Sequence, residues 1–214
     1  MPPTVLTRAT LLQGVGELAA RDRRLAAVVE SFGPPPLFSR PRGFPTLVWI
    51  ILEQQVSLAS AAALFSRLKV AVAGEITPES VLALGLDGLL RLGFTRQKAR
   101  YVSGLAERIA GGRLDLAQTS ALDDEAAGAA LLEVPGIGPW TAGVYLLMAL
   151  RRPDVWPPGD LALVRAVAAI DGRTGKTSNE DVAAVAERWR PWRAVAARIL
   201  WHGYLGDRGI VAPA

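Results

Sequence analysis

The chain has 214 residues, half of them hydrophobic, a net charge of +4 and a sequence pI of about 9.9. This length and composition suit one compact domain, or two small lobes, with a sizeable buried core. The basic balance permits a nucleic-acid partner without requiring one. Because there is no cysteine, disulfides, zinc–thiolate sites, iron–sulfur clusters and cysteine nucleophiles are excluded.

The apolar runs of the chain are short. Residues 46–52 form one of the longest, and it is too short to cross a bilayer. The N-terminus lacks the basic start and long apolar core of a signal peptide. We therefore expect a cytoplasmic protein with no membrane partner.

Apolar residues recur with helical spacing along most of the chain, and little of it alternates with period two. We therefore predict an all-α protein, a multi-helix bundle. In chain order, the predicted helices cover residues 7–20, 22–32, 44–55, 58–73, a segment starting at 78, 87–92, 96–110, 123–132, 139–150, 161–170, 178–189 and 192–205. Ser57, Thr77 and Thr95 are predicted N-caps, and Pro78 suits a first helical position.

The segment Pro135-Gly136-Ile137-Gly138-Pro139 interrupts two of these helices. Gly136 and Gly138 can adopt positive φ without steric cost, and Pro139 suits the first position of the next helix. Such a turn is expected to leave the N–H groups of residues 136–138 unpaired beside a helix N-terminus. Unpaired N–H groups in that place can bind an anion such as a phosphate. The alternative is a plain connection between two helices with glycine turn chemistry.

Residues on both sides of the turn make the pattern more specific. Leu131, Leu132 and Val134 precede it, Thr141-Ala142 follow it, and the whole resembles the helix–hairpin–helix DNA-binding motif L-x-x-[LFV]-P-G-[IV]-G-x-x-T-A. The resemblance implies that Gly136, Ile137, Gly138 and Thr141 bind one DNA phosphate, independently of base sequence. It also implies a possible monovalent cation held by carbonyls of residues 134–138, and no other cofactor or metal.

A single carboxylate stands out after the hairpin. Asp160 follows one helix and a Pro/Gly-rich loop, and directly precedes the helix predicted to begin at Leu161. The simplest interpretation is an N-cap, because aspartate is favoured in that position. On its own, this residue does not distinguish an N-cap from a catalytic group.

The combination of the hairpin, the intervening helix and Asp160 resembles the helix–hairpin–helix DNA glycosylase superfamily. Ile50–Ser57 resembles that family's I-[IV]-x-[GE]-Q-Q-[IV]-S segment, and Glu187–Arg193 resembles the R-W-[RK]-P-W-R signature of its 3-methyladenine DNA glycosylase II branch. The resemblance implies two helical lobes with a cleft between them, and it makes Asp160 the catalytic carboxylate. We expect one unit spanning 1–214, with residues 44–132 as the central lobe, 133–214 packing with 1–43, and no N-terminal β-domain.

The reaction that the resemblance implies, hydrolysis of an N-glycosidic bond, can be assisted by a single carboxylate. As the N-glycosidic bond breaks, positive charge builds on the sugar, and a carboxylate beneath it stabilises that charge and can orient a water molecule. A helix N-terminus favours the negative form of Asp160. Alkylation at a ring nitrogen makes a purine cationic, so it leaves without strong acid assistance. The expected activity is release of 3-methyladenine and 7-methylguanine from double-stranded DNA, as a nucleoid-associated monomer.

Aromatic residues are expected to receive the flipped cationic base, because such a base stacks well on electron-rich rings. Trp140 and Trp201 occupy positions that resemble the family's pocket aromatics. Tyr145 is a weaker candidate, since the branch often has its aromatic one residue earlier, where this chain has Val144. The alternative for each ring is ordinary core packing, which is also what we expect of Trp189, Trp192 and His202.

Two further features bear on the mechanism. Gln55-Val56 resembles the family's wedge loop, which fills the gap left by the base, although the family commonly has an apolar residue where Gln55 stands.

Glycosylases that also cleave the strand have a lysine nucleophile at the position of Trp140. Because no lysine lies between residues 99 and 175, we expect a monofunctional enzyme.

Three other interpretations remain. An oxidised-purine glycosylase would share the same fold, and the missing lysine argues against its lyase-coupled form. A non-catalytic helix–hairpin–helix DNA-binding protein would have no use for Asp160, because a carboxylate repels the phosphate backbone. A helical scaffold without DNA contact would leave the amides of the hairpin without a purpose.

Overall fold

The structure is a computed structural model that describes residues 5–172 and 174–210. Over these ranges it contains α-helices and one short 3-10 helix but no β-strand, which confirms the predicted all-α class. None of the described helices is long and apolar enough to span a membrane. The helices are α1 (Arg8–Arg21), α2 (Arg23–Phe32), α3 (Phe44–Glu53), α4 (Leu58–Ala71), α5 (Pro78–Arg91), α6 (Arg96–Ala110), α7 (Leu116–Ala121), α8 (Asp124–Leu132), α9 (Pro139–Met148), α10 (Leu161–Ile170), α11 (Asn179–Ala186) and α12 (Arg193–Gly206).

The chain forms two compact units. The central unit is the continuous stretch Pro41–Tyr145, and the terminal unit combines the described residues up to Arg40 with those from Leu146 onward. The hairpin turn, residues 134–138, therefore belongs to the central unit, whereas the sequence suggested a boundary near residue 132. The physical reason is that the turn bonds and packs to Gln54 and Tyr101, which lie in the central unit.

Capping chemistry accounts for most helix starts. The side chains of Ser57, Thr77 and Thr95 each accept a hydrogen bond from the amide three residues later, as predicted. One helix escaped prediction: α7 is only six residues long and mostly polar or small, and it begins where both Ala117 N and Gln118 N donate to the carboxylate of Asp115.

Two helices have bounds that differ from the predicted ones, and backbone dihedral angles explain both differences. Helix α3 ends at Glu53 rather than at residue 55, because Gln54 has a non-helical ψ of 122° and Gln55 has a φ of 57°. Helix α5 runs through the predicted break before residue 87, but Gly85 has a φ of 64°, which kinks it between two short helical pieces.

Helix α12 is the centre of the terminal unit, where it packs against α1, α2 and α10. Its Arg198 is fully buried, and its guanidinium donates to the carbonyls of Leu37, Leu147 and Ala194 at 2.6–2.8 Å. Burial lowers the pKa of Arg198 to about 9, and the charge of Arg151 acts in the same direction. One side chain thus ties the loop after α2 and the end of α9 to α12.

Asp22 joins α1, α2 and the segment before α12. Its carboxylate caps α2 through Arg24 N, pairs with the Arg24 guanidinium, and accepts a bond of 2.9 Å from the indole N–H of Trp189. Burial alone raises the pKa of Asp22, but the hydrogen bonds from Arg24 and Trp189 outweigh that effect and lower it from 3.8 to about 2. The charged form is therefore the one that the fold stabilises.

This shift predicts a pH dependence of stability. Because the folded-state pKa lies below the unfolded one, the stabilisation is fully present above pH 3.8 and is lost as the pH falls towards 2. We expect Asp22 to contribute about 2 kcal/mol to the free energy of unfolding at pH 7. Asp22→Asn keeps the cap but should flatten the pH dependence between 5 and 2, as measured by urea unfolding. An unchanged slope in the variant would contradict this assignment.

Candidate functional site

Asp160 lies at the start of α10. Its backbone is extended, with φ −68° and ψ 115°, and its Oδ1 accepts a hydrogen bond of 3.0 Å from Leu163 N. This is N-cap geometry, so the predicted capping role is confirmed. The carboxylate is therefore held at the positive, N-terminal end of the α10 dipole.

The same oxygen has a second donor in the terminal unit. Trp201 on α12 donates its indole N–H to Asp160 Oδ1 at 3.1 Å. The structure therefore brings together the predicted catalytic carboxylate and a predicted aromatic residue of the base pocket. The two hydrogen bonds fix the carboxylate against an aromatic ring.

Phe38 supports this pair from the loop after α2. Its ring lies edge-on to that of Trp201, with centroids 6.2 Å apart and planes at 82°. Phe38 is buried and has a φ of 48°, an unfavourable conformation for a residue with a side chain. The neighbouring Leu37 carbonyl is held by buried Arg198, which fixes the loop in this conformation. Local strain held by surrounding contacts is typical of functional sites.

The hairpin turn requires a glycine at position 136. Gly136 has a φ of 94°, and a Cβ on it would lie 2.2 Å from Cγ of Tyr101. Tyr101 on α6 therefore packs directly against the backbone of the turn. The prediction of a positive φ is confirmed for Gly136.

Gly138 differs from this prediction, because its φ is not positive. Its carbonyl accepts the first helical bond of α9, from Ala142 N at 3.0 Å. Apart from Gly138 itself and its two neighbours in the chain, no described atom lies within 4 Å of the position that a Cβ on Gly138 would occupy, so the space beside its backbone is open. The fold of the described residues does not itself require glycine there.

The amides of the hairpin turn are less available than the sequence suggested. Ile137 N donates to the carbonyl of Val134 at 3.0 Å, because the turn closes on itself. Among residues 5–172 and 174–210, no acceptor is found for the amides of Gly136 and Gly138. Two of the three predicted N–H groups therefore remain for an anion.

Thr141 does not face solvent. Its side chain is 1% exposed, and its Oγ1 accepts a bond of 2.9 Å from Nε2 of Gln54. The same nitrogen also donates to the carbonyl of Gly136 at 2.9 Å. The Thr141 hydroxyl is therefore used within the central unit, and a contact of Thr141 with a phosphate stays a prediction.

The turn between α3 and α4, residues 54–57, projects from the central unit. Gln55 and Val56 are both exposed, and the φ of 57° at Gln55 turns the chain sharply. Lys98 supports this turn from α6 by donating to the carbonyl of Leu52 at 2.6 Å. Burial lowers the pKa of Lys98. An exposed apolar residue beside a strained turn suits the predicted wedge.

A comparison with known families agrees with these features. Residues 48–191 match the model of the HhH-GPD superfamily base excision DNA repair protein, which spans both the hairpin turn and Asp160. The chain belongs to the HhH-GPD superfamily.

One relative is a bacterial protein that the chain matches over most of its own length. The chain is 26% identical to a DNA-3-methyladenine glycosylase of Bacillus subtilis (strain 168) over 196 residues, which are 86% of this chain and 65% of that protein. It therefore spans slightly less than two thirds of that relative.

Solved structures agree on the fold. A DNA-3-methyladenine glycosidase from Bacillus halodurans has 28% identity and a TM-score of 0.76, with 92% of this chain and 91% of that chain covered. A Schizosaccharomyces pombe 3-methyladenine DNA glycosylase in complex with abasic DNA has 23% identity and a TM-score of 0.79, covering 92% and 97%. At that identity the second likeness concerns the fold alone.

The remaining residues named from the sequence lie as follows. Tyr145 is 1% exposed, and its hydroxyl accepts from Gly43 N, so it lies in the core of the central unit rather than on an open surface. Burial raises the pKa of its phenol. Trp140, the second residue of α9, is partly exposed. Trp189 and Trp192 are buried core residues, as predicted.

Several residues that support either the hairpin turn or Asp160, each within its own unit, were not predicted. Gln54 lies within the Ile50–Ser57 segment, but nothing in the neighbouring residues indicates a bond to the hairpin turn. Phe38, Tyr101 and Arg198 act through partners far away in the chain, so local spacing holds no signal for them. The lone histidine, His202, is bonded through Nε2 to the carbonyl of Phe32, as a packed helix residue.

Proposed function

We propose that this chain is a monofunctional DNA glycosylase. It hydrolyses the N-glycosidic bond of alkylated purines, of the 3-methyladenine and 7-methylguanine type, in duplex DNA and leaves an abasic site. The observation that carries this proposal is the carboxylate of Asp160, held by Leu163 N and by the indole of Trp201. The names of the relatives support the same substrate class.

The proposed reaction begins when the bond between C1′ and the base nitrogen breaks, and the electron pair leaves with the alkylated base. Because that base is already cationic, it departs as a neutral molecule. The sugar becomes positively charged, and the fixed carboxylate of Asp160 stabilises it without reorganising. A water molecule then adds to C1′ and releases a proton, which leaves a hydroxyl on the abasic sugar.

The hairpin turn is proposed to hold the DNA strand during this step. The unpaired amides of Gly136 and Gly138, beside the N-terminus of α9, suit a phosphate oxygen. The open space at Gly138 lets a phosphate approach the backbone closely.

We propose that the chain acts as a monomer on double-stranded DNA.

The hairpin turn also has carbonyls that suit a monovalent cation. The carbonyls of Val134 and Gly136 each accept one hydrogen bond, from Ile137 N and Gln54 Nε2, and each oxygen keeps a second lone pair. A bound cation would supply positive charge for the phosphate. We propose this site as an addition to the amide contacts.

The function is tested by a panel of duplexes, each with a single 3-methyladenine, 7-methylguanine, hypoxanthine or 8-oxoguanine. We expect release of the methylated purines and retention of 8-oxoguanine, measured as free base by chromatography. Preferential release of 8-oxoguanine would assign the chain to the oxidised-purine class. Binding without release of any base would leave a non-catalytic DNA-binding protein.

The absence of a lysine at position 140 predicts the product. We expect no covalent adduct when the protein is incubated with abasic DNA and borohydride, because Trp140 cannot form a Schiff base. The strand should also remain uncut unless alkali is added. A trapped protein–DNA species on a denaturing gel would overturn the monofunctional assignment.

A further inference from the structure

Gln54 occupies a junction in the central unit. It is the C-cap residue of α3, with φ −58° and ψ 122°, so the chain leaves the helix at this residue. The next residue, Gln55, begins the exposed tip of the 54–57 turn. The side chain of Gln54 does not follow the tip but turns inward.

Both N–H groups of the Gln54 amide have acceptors around the hairpin turn. A primary amide nitrogen has two N–H donors, and Nε2 lies 2.9 Å from the Gly136 carbonyl and 2.9 Å from Thr141 Oγ1. Gly136 belongs to the hairpin turn, and Thr141 to the first turn of α9. One side chain therefore bonds the start of the 54–57 turn to both halves of the hairpin.

Helix α6 provides a second connection between the same two turns. Lys98 donates to the Leu52 carbonyl near the end of α3, and the ring of Tyr101 packs against Gly136. Because these residues lie three apart on one helix, they share a face of α6. The two turns are thus connected directly by Gln54 and indirectly by α6.

We infer that Gln54 is a positioning residue that fixes the spacing between the 54–57 turn and the hairpin turn. This rests on the proposed function, in which the hairpin turn binds a phosphate and Gln55-Val56 fills the gap left by the flipped base. With the spacing fixed, the energy of phosphate binding also holds the wedge in the duplex, because both contacts belong to one preorganised element.

The inference is tested by a double-mutant cycle on a duplex with a single tetrahydrofuran abasic-site analogue. In the otherwise wild-type protein, we expect Gln55→Ala to raise the Kd about tenfold. In a Gln54→Met background, whose side chain has similar length and no donor, the same change should raise the Kd less than about threefold. Gln54→Met alone should raise the Kd about tenfold, as expected for the loss of two neutral hydrogen bonds.

The design separates positioning from stability. If Gln54→Met only unfolded part of the protein, the active fraction would fall, but the factor by which Gln55→Ala raises the Kd would stay the same. Thr141→Val removes one acceptor while keeping the side-chain volume, so it should partially reduce the factor by which Gln55→Ala raises the Kd. It also provides a second variant if Gln54→Met folds poorly. Gln118→Met, on the exposed side of α7, is the matched control and should change no Kd.

Each outcome has one meaning. If Gln55→Ala raises the Kd by the same factor in both backgrounds, the positioning role is overturned. Base release by the wild-type protein would still uphold the proposed function in that case. If the wild-type protein neither releases methylated purines nor prefers abasic over undamaged duplex, the proposed function fails and this inference fails with it.

Discussion

Asp160→Asn is expected to slow the release of methylated purines by at least about a hundredfold, as for other losses of a charge-stabilising group. Asparagine keeps the side-chain oxygen that accepts from Leu163 N and Trp201, so the change removes charge and leaves the geometry. Single-turnover base release at saturating protein measures this effect directly. Binding to abasic duplex should be retained, because a negative charge near phosphates does not favour binding.

A matched control is available in the central unit. Asp123 caps α8 by accepting from Ala126 N, in the same geometry as Asp160. Asp123→Asn should therefore leave the rate of base release unchanged. If Asp160→Asn retained more than about a tenth of the wild-type rate, its carboxylate would not supply the stabilisation assigned to it.

Gly136→Ala is expected to lower the free energy of unfolding by about 3 kcal/mol, because the new methyl group meets the Tyr101 ring in a conformation that disfavours side chains. A Cβ at position 136 lies 2.2 Å from the ring, and the φ of 94° adds strain. Gly138→Ala should cost at most about 1 kcal/mol, since only the capping preference changes. Urea unfolding of both variants measures the difference.

The two glycine variants separate folding from DNA contact. Although Gly138→Ala leaves the fold intact, its methyl group enters the open space beside the backbone, so the Kd for duplex DNA should rise about tenfold or more. Unchanged DNA binding by folded Gly138→Ala would exclude a phosphate from that position. Equal losses of stability in both variants would contradict the roles given to the two glycines.

The sequence predicted the parts of this molecule that depend on neighbouring residues. Helix starts follow from side chains such as Ser57, Thr95 and Asp160, which each accept a hydrogen bond from the amide three residues later. The hairpin turn and its positive φ at Gly136 follow from the glycine and proline spacing. These features are local, so the order of residues carries them.

The parts that escaped prediction depend on contacts between distant segments. The amide of Ile137 was expected to be unpaired, but closure of the turn gives it the Val134 carbonyl. Thr141 matched a DNA-binding motif, yet its hydroxyl is used by Gln54 from another helix. Nothing in the order of residues distinguishes Arg198, with its three buried carbonyl partners, from a surface arginine.

The discontinuity of the terminal unit has a consequence for protein synthesis. Central-unit residues are contiguous, so that unit can complete its contacts as soon as Tyr145 has left the ribosome. Helices α1 and α2 are made before the central unit and can pack on each other, but their contacts with α12 form only when α12 has been made. Until then the faces of α1 and α2 that pack on α12 are exposed, so these two helices are the part of the nascent terminal unit that is vulnerable to aggregation and proteolysis.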